Sequence, residues 1–187
     1  KDNIPFHTLS FPATLMGAKK SWKLVDYIKG FNWLTYEGGK FSTSMKRGIF
    51  MNDAIKVFPS DYWRWWLLSN APETSDSDFT WKSFQSCINK DLADVLGNFA
   101  SRLIKFSKSK FGNDIPTGNN YGEIEDKTMS EVLSQFKLYE EAMTRMEIRK
   151  SASLLRKIWT IGNEYLQISS PWTLIKTDRD ESAKIIR

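Results

Sequence analysis

Asn98 and Arg102 lie four residues apart in a stretch whose apolar residues recur every three or four positions. This spacing predicts that the two side chains are one turn apart on the same flank of an amphipathic helix. A carboxamide and a guanidinium arranged in this way can hydrogen-bond the edges of two unstacked bases. We therefore interpret the pair as a candidate binding site beside the apolar face.

Trp172 is the second residue whose setting suggests chemistry. It follows Ser169-Ser170-Pro171, a sequence that predicts a serine N-cap, a proline at the first helical position and then a bulky aromatic residue. An indole fixed at a helix N-terminus can stack on a base. The residues alone leave an alternative open, in which Trp172 is a hydrophobic plug beside a bundle.

A loop of hydroxyl and basic side chains follows a predicted β-hairpin. The hairpin consists of residues 28–36 and 40–42, separated by Glu37-Gly38-Gly39. The loop contains Lys40, Ser42, Thr43, Ser44 and Lys46, whose hydroxyl and ammonium groups could donate hydrogen bonds to a phosphate chain. Composition alone favours the other interpretation, an ordinary solvated basic loop.

Helical periodicity accounts for most of the remaining chain. We predict one long helix over Trp81–Phe111, capped by Thr80 and ended by Gly112-Asn113. Further helices are predicted over residues 6–17, from Asn52 to Pro59, over 62–69, from Thr128 or Ser130 to 146, over 148–168 and from 171 onward. The inner face of the helix that ends near Met146 is predicted to contain Val132, Leu133, Phe136, Tyr139 and Met143.

The fold class that follows is mainly α, with a helical bundle preceded by a small α/β region. The polar stretch 71–78 predicts a domain boundary, which gives domains 1–77 and 78–187. Trp63, Trp65 and Trp66 cannot share one face of a short helix, so we expect that helix to be enclosed as core. A stacking platform for nucleic acid, or an exposed docking surface for a partner protein, is the alternative.

Composition and charge exclude several classes of protein. With one cysteine, Cys87, and one histidine, His7, the chain has no disulfide framework and no zinc site to build. No apolar run is long enough for a membrane span, so we expect no membrane partner and a cytoplasmic setting. The net charge of +5 lies entirely in residues 1–60, whereas residues 61–187 are neutral. A nucleic-acid site in the helical part must therefore use contacts to bases more than attraction to phosphates.

Four segments in this order resemble the methionyl-tRNA synthetases, a family of class I aminoacyl-tRNA synthetases: KDNIPFHTLSFP, GGKFSTSMKRG, NFASR and NEYLQISSPW. The resemblance covers essentially the whole chain. It implies the end of the nucleotide-binding (Rossmann-like) catalytic domain with its signature loop, followed by most of the helical anticodon-binding domain. It also implies ATP with Mg as a substrate, methionine as the amino acid and the tRNA(Met) anticodon loop as the partner.

The resemblance assigns roles residue by residue. It places Asp2 at the adenylate-binding position, and His7 and Phe11 in the methionine pocket, where many members have tryptophan instead of Phe11. Lys40, Ser42, Thr43 and Ser44 match the signature loop that stabilises the triphosphate in the transition state. Asn98, Arg102 and Trp172 match the residues that recognise the anticodon. No metal-binding residue is implied in this region.

The signature loop departs from the family pattern. Phe41 replaces a methionine, and Thr43 stands where the second lysine is found, so we hypothesise that Lys46 supplies the missing cation. Because the chain starts without methionine and lacks the first half of the catalytic domain, we expect a piece of a longer polypeptide that is inactive alone and binds at most the anticodon loop. A helical protein-interaction module and the same region of another class I synthetase remain the alternatives.

Overall fold

A computed structural model describes residues 2–187. The described chain is mainly helical and has one small mixed sheet, which confirms the predicted fold class. The first half contains α1 (Phe11–Gly17), β1 (Leu34–Tyr36), β2 (Gly39–Lys40), α2 (Met51–Val57), α3 (Ser60–Ser69) and β3 (Ser77–Phe79). Residues 81–187 contain α4 (Trp81–Cys87), α5 (Asn98–Phe111), α6 (Glu123–Thr144), α7 (Ile148–Ser169), α8 (Pro171–Leu174) and α9 (Arg179–Ile186).

The predicted hairpin is present, with shorter strands than expected. β1 pairs antiparallel with β2, so that Thr35 lies opposite Lys40 and Tyr36 opposite Gly39. Sequence analysis missed β3, which lies on the other side of β1 and runs parallel to it. The end of the predicted connector, Ser77 and Asp78, is therefore part of the sheet. The division into domains at residue 77 stays a prediction.

The predicted helix over Trp81–Phe111 is one continuous helical element, but it is not α-helical throughout. Thr80 caps it as expected, because the Thr80 side chain accepts a hydrogen bond from the backbone N–H of Ser83 at 3.0 Å. The chain leaves the element at Gly112 with a φ of 91°. Between α4 and α5, residues Ile88–Gly97 form a π-helix. A second π-helical turn, Phe6–Ser10, precedes α1.

The tryptophan-rich helix α3 forms the centre of the core, as predicted. Trp63, Trp65 and Trp66 are buried, with 9%, 8% and 2% of their surface exposed. Trp63 packs on Phe84 of α4 with ring centroids 4.6 Å apart, and Trp65 packs on Trp159 of α7 at 4.8 Å. Because these indoles are enclosed, α3 is not an exposed docking surface or stacking platform, and that alternative is wrong.

The face of α6 differs from the prediction in two ways. The helix begins at Glu123, earlier than expected, because the Glu125 carboxylate accepts a hydrogen bond from the Gly122 N–H at 2.8 Å. Of the residues predicted to face inward, Leu133, Phe136 and Met143 are exposed, whereas Ala142 is buried. Periodicity identified an apolar stripe correctly but could not show how much of it the neighbouring α7 covers.

Candidate nucleic-acid interface and hydroxyl-rich loop

Asn98 and Arg102 open onto a groove between α5 and α7. The groove has a volume of about 320 Å³, and α7 contributes Thr160, Asn163 and Gln167 to its lining. Asn98 is exposed and Arg102 is partly exposed, so both polar ends are accessible to a ligand. The predicted adjacency of the two residues on one flank of the helix is therefore present in the structure.

Trp172 lies beside this groove and contacts Arg102. The guanidinium carbon of Arg102 lies 4.3 Å from the centroid of the Trp172 ring, a cation–π contact. The indole is neither sealed in the interior nor fully exposed. Side chains from α5 and α8 thus converge on one partly open surface, which we call the reading groove: Asn98, Arg102 and Trp172 with the α7 residues that line it.

The turn into α8 explains the position of the indole. Ser170 ends α7 in the left-handed conformation, with φ 42°, and Pro171 occupies the first position of α8. Ser170 is the N-cap residue of α8, as predicted, but its side chain makes no capping hydrogen bond to that helix, because the Ser170 hydroxyl donates instead to the carbonyl of Gln167 at 2.9 Å. The sharp turn and the buried Pro171 ring direct Trp172 back towards α5.

The charge of the reading groove is mixed. Asp94 and Glu164 line it together with the Arg102 guanidinium. Two carboxylates near one guanidinium give no net attraction for a phosphate backbone. Amide, hydroxyl and guanidinium groups in such a site are suited to hydrogen bonds with the edges of unpaired bases.

Sequence analysis missed the α7 side of the groove. Thr160, Asn163, Glu164 and Gln167 follow one another at intervals of three, one and three residues, so they form a polar stripe along α7. That stripe was visible in the sequence. Sequence analysis used only the apolar residues beside it, which predict the buried face of the helix.

The hydroxyl-rich loop is a tight, closed turn at the end of the hairpin. Ser42 and Arg47 form an antiparallel bridge, in which each backbone N–H donates to the other residue's carbonyl at 2.9 and 2.8 Å. The Ser42 hydroxyl accepts from the Met45 N–H at 3.2 Å and lies 3.3 Å from the Ser44 hydroxyl. The loop is therefore ordered by its own hydrogen bonds.

The three cations of the loop differ in their contacts. The Arg47 guanidinium donates to the backbone carbonyls of Tyr36 and Glu37, both at 3.0 Å, and so fastens the loop to the hairpin turn. Lys40 and Lys46 are exposed and take part in none of the ion pairs found within residues 2–187. Thr43 and Ser44 are exposed as well. Two ammonium groups and two hydroxyls thus remain accessible to an anion on this loop.

Asp2, His7 and Phe11 lie near the N-terminal end of the described residues. All three are exposed, and His7 belongs to the π-helical turn that leads into α1. Asp2 and His7 make no side-chain hydrogen bond to the loop or to the reading groove within residues 2–187. The structure does not bring these three residues into either group.

A largely buried ionic cluster, which sequence analysis missed, fastens α9 to the bundle. Lys184 pairs with Glu181 and lies 3.2 Å from Glu125, while the Tyr165 hydroxyl donates to Glu125 at 2.9 Å. Burial opposes ionisation of Glu125, but hydrogen bonds from Gly122, Tyr165 and Lys184 outweigh it and lower the pKa of that carboxyl. Hydrogen bonding to Glu181 is the main reason that the pKa of Lys184 is raised.

The described residues contain no group of three metal-ligating side chains and no helix long and apolar enough to cross a membrane. Cys87 is free, and its pKa is raised to about 11 by burial and by the neighbouring Asp91 carboxylate.

Comparison with known families identifies the class to which this arrangement belongs. The family described as tRNA synthetases class I (M) matches residues 1–104, more than half of the chain, so the chain belongs to that family. The family described as the anticodon binding domain of methionyl tRNA ligase matches residues 115–187.

Relatives of the chain include methionine–tRNA ligases. The chain is 60% identical over 187 residues to that of Dinoroseobacter shibae and 58% identical to that of Ruegeria pomeroyi. It is covered completely in both alignments and spans 33% of each relative's length. Its fold matches Mycobacterium tuberculosis methionyl-tRNA synthetase in complex with methionyl-adenylate, with a TM-score of 0.88 and 21% identity, covering 99% of this chain and 37% of that one.

Proposed function

We propose that this chain is the anticodon-reading and loop-bearing part of a methionine–tRNA ligase, which joins methionine to tRNA(Met) through methionyl-adenylate at the expense of ATP. The observation that carries the proposal is the convergence of Asn98, Arg102 and Trp172 on one open groove. The 60% identity to a methionine–tRNA ligase supports the choice of amino acid. The reaction belongs to the compartment of translation, so we infer a cytoplasmic enzyme.

In the proposed complex, the reading groove binds the anticodon loop. The Trp172 indole stacks on an unpaired base, while Asn98 and Arg102 hydrogen-bond base edges. The cation–π contact holds the guanidinium and the indole together before RNA binds, which reduces the ordering that binding requires. Neutral charge in residues 61–187 supports readout through bases rather than through the phosphate backbone.

Replacing the indole tests this role. In the full-length protein, Trp172→Ala removes the stacking surface, which is worth about 1–3 kcal/mol per base. We expect the KM for tRNA in aminoacylation to rise roughly 5- to 150-fold. Methionine-dependent pyrophosphate exchange, which needs no tRNA, should not change.

Tyr121→Ala is the matched control, because the Tyr121 ring also lies against a guanidinium, that of Arg187, at 4.5 Å, but outside the reading groove. We expect it to leave the KM for tRNA unchanged. Equal effects of the two replacements would show that loss of an aromatic–arginine contact, and not loss of stacking on RNA, is responsible.

The hydroxyl-rich loop is proposed to bind the triphosphate of ATP during activation of methionine. Lys40 and Lys46 would supply positive charge, and Ser42, Thr43 and Ser44 would supply hydroxyl donors. These accessible groups fit a polyphosphate. Mg that accompanies ATP would be held mainly by phosphate oxygens and water, with one or two carboxylates at most. Asp2, His7 and Phe11 are proposed to complete the adenylate and methionine pockets together with the first half of the catalytic domain.

Lys46 is proposed to replace the lysine that is missing at Thr43. Lys46 sits at a left-handed position, with φ 51°, at the outer end of the closed loop, and its ammonium group is exposed. We expect Lys46→Ala to reduce the kcat of pyrophosphate exchange by roughly 100-fold or more, as expected for loss of a group that stabilises transition-state charge. Lys56→Ala removes an exposed lysine from α2 and serves as the control. If Lys46→Ala leaves the exchange rate untouched, Lys46 has no such role.

A further inference from the structure

The direction in which Asn98 and Arg102 point depends on the π-helix that precedes them. A π-helix hydrogen-bonds from residue i to i+5 and so takes about one residue more per turn than an α-helix. Over the ten residues Ile88–Gly97, this difference amounts to roughly half a turn. The π-helix ends at Asn98, where α5 begins. Its extent therefore sets which side of α5 faces the reading groove.

Asn163 of α7 holds the end of this π-helix. Its amide nitrogen donates to the carbonyl of Val95 at 2.9 Å and to the carbonyl of Trp159 at 3.1 Å. The amide oxygen of Asn163 is buried and has no hydrogen-bond partner within residues 2–187. The amide nitrogen of Asn163 therefore satisfies two backbone carbonyls, of which that of Val95 belongs to the π-helix. The amide oxygen of Asn163 is left without a hydrogen bond to the described residues in this orientation.

Two close approaches fix the same junction. A Cβ atom on Gly162 would lie 2.8 Å from the Phe99 ring, so α7 contacts α5 directly beside Asn98. A Cβ atom on Gly97 would lie 2.8 Å from the Leu92 carbonyl oxygen, so the last turn of the π-helix has no room for a side chain there. These contacts and the Asn163 amide all act within one turn of Asn98.

We propose that Asn163 is a positioning residue for anticodon recognition: it fixes the transition from π-helix to α-helix and thereby directs Asn98 and Arg102 into the reading groove. The inference rests on the proposed function and adds a residue to it. Although Asn163 lines the reading groove, its amide nitrogen is engaged by the carbonyls of Val95 and Trp159 and its amide oxygen is buried. It therefore acts through the backbone of Val95, and Asn98, Arg102 and Trp172 remain the groups proposed to contact RNA.

A double-mutant cycle in the full-length protein tests this inference. We expect Asn163→Ala to raise the KM for tRNA(Met) about three- to tenfold, which is the effect of misplacing one or two hydrogen bonds. Pyrophosphate exchange and the kcat of aminoacylation at saturating tRNA should remain at the wild-type level. If Asn163 acts through Asn98 and Arg102, adding Asn163→Ala to Asn98→Ala should raise the KM by a smaller factor than Asn163→Ala does alone.

Asn70→Ala is the matched control. Asn70 also donates from its amide to a helix carbonyl, that of Trp66 at 2.9 Å, but it belongs to the core around α3. The control should lower the melting temperature without changing the KM for tRNA. A KM that rises equally in Asn70→Ala and Asn163→Ala would overturn the positioning role, and so would full additivity of Asn163→Ala with Asn98→Ala.

Gly97→Ala is the second variant, because its added methyl group would meet the Leu92 carbonyl and so alter the end of the π-helix. It tests the same inference whether or not Asn163→Ala folds. It should raise the KM for tRNA as Asn163→Ala does, and an unchanged KM would overturn the inference. If Asn98→Ala itself leaves the KM for tRNA unchanged, the proposed function has failed rather than the role of Asn163.

Discussion

At the scale of single residues, Asp91 joins three helical elements through one carboxylate. One of its oxygens accepts from Trp65 of α3 at 3.1 Å, and the other accepts from Arg156 of α7 at 2.5 Å. Asp91 itself belongs to the π-helix. The Cys87 thiol, one turn away, lies 3.6 Å from the same carboxylate. Because the thiolate would be buried beside a negative charge, its formation is disfavoured.

This arrangement predicts the reactivity of the only cysteine. Asp91→Asn removes the negative charge, so the pKa of Cys87 should fall from about 11 towards the ordinary value of 9.0. The reaction of the thiol with a disulfide reagent at pH 8 should then accelerate roughly tenfold per unit by which the pKa falls.

Arg156→Gln is the control, because it breaks the same ion pair, loosens the structure and leaves the Asp91 charge in place. It should not accelerate the reaction. Equal acceleration in the two variants would mean that exposure of the thiol, and not the charge of Asp91, controls its reactivity.

At the scale of elements, α7 is positioned by a residue distant in sequence. The Glu73 carboxylate accepts from the backbone N–H groups of Ile148 at 2.9 Å and Arg149 at 3.1 Å, and pairs with Lys29 at 3.1 Å. Burial opposes ionisation of Glu73, but these contacts outweigh it and lower the pKa of the carboxyl. A negative charge at a helix N-terminus is favourable, so the segment 71–78 caps the helix that carries half of the reading groove.

The lowered pKa of Glu73 predicts a dependence of stability on pH. A carboxyl whose pKa is lower in the folded state contributes stability that is complete above its unfolded value of about 4.5 and is lost as the pH falls through its folded pKa. We expect Glu73→Gln to lower the free energy of unfolding by about 1–2 kcal/mol at pH 7. The difference from wild type should shrink when urea unfolding is measured near pH 3.

Asp61→Asn provides the control, since Asp61 forms an exposed pair with Arg64. Such pairs contribute little, so this change should cost less than about 0.5 kcal/mol at either pH. A Glu73→Gln variant as stable as wild type at pH 7 would contradict the capping role.

The contacts of Glu73, Asp91 and Asn163 also show where sequence reasoning stops. Spacing predicted the apolar stripe of the long helix, the Asn98–Arg102 pair and the burial of the α3 tryptophans, because these depend on local periodicity. It did not predict a π-helix, because the apolar residues Ile88, Leu92, Val95 and Phe99 are separated by four, three and four positions, which is the pattern of an ordinary α-helix. Nor did it predict partners separated by 65 or more residues, since these depend on how elements pack.

At the scale of the whole molecule, the hydroxyl-rich loop and the reading groove both adjoin elements that pack on one aromatic core. The hydroxyl-rich loop follows the hairpin, whose Tyr36 packs on Phe79 of the core with ring centroids 5.9 Å apart. The reading groove adjoins α7, whose Trp159 packs on Trp65 of the same core. One aromatic core thus packs against both the hairpin that leads to the proposed triphosphate loop and the helix that lines the proposed anticodon groove.

The affinity of the full-length protein for RNA hairpins that differ only in the anticodon tests the central claim most directly. If Asn98, Arg102 and Trp172 read bases, the hairpin with the CAU anticodon should bind at least about tenfold more tightly than hairpins with other anticodons, the equivalent of roughly one lost hydrogen bond to a base. The preference should persist as salt rises, because it does not depend on phosphate contacts. Equal affinity for every anticodon would contradict the assignment of the groove.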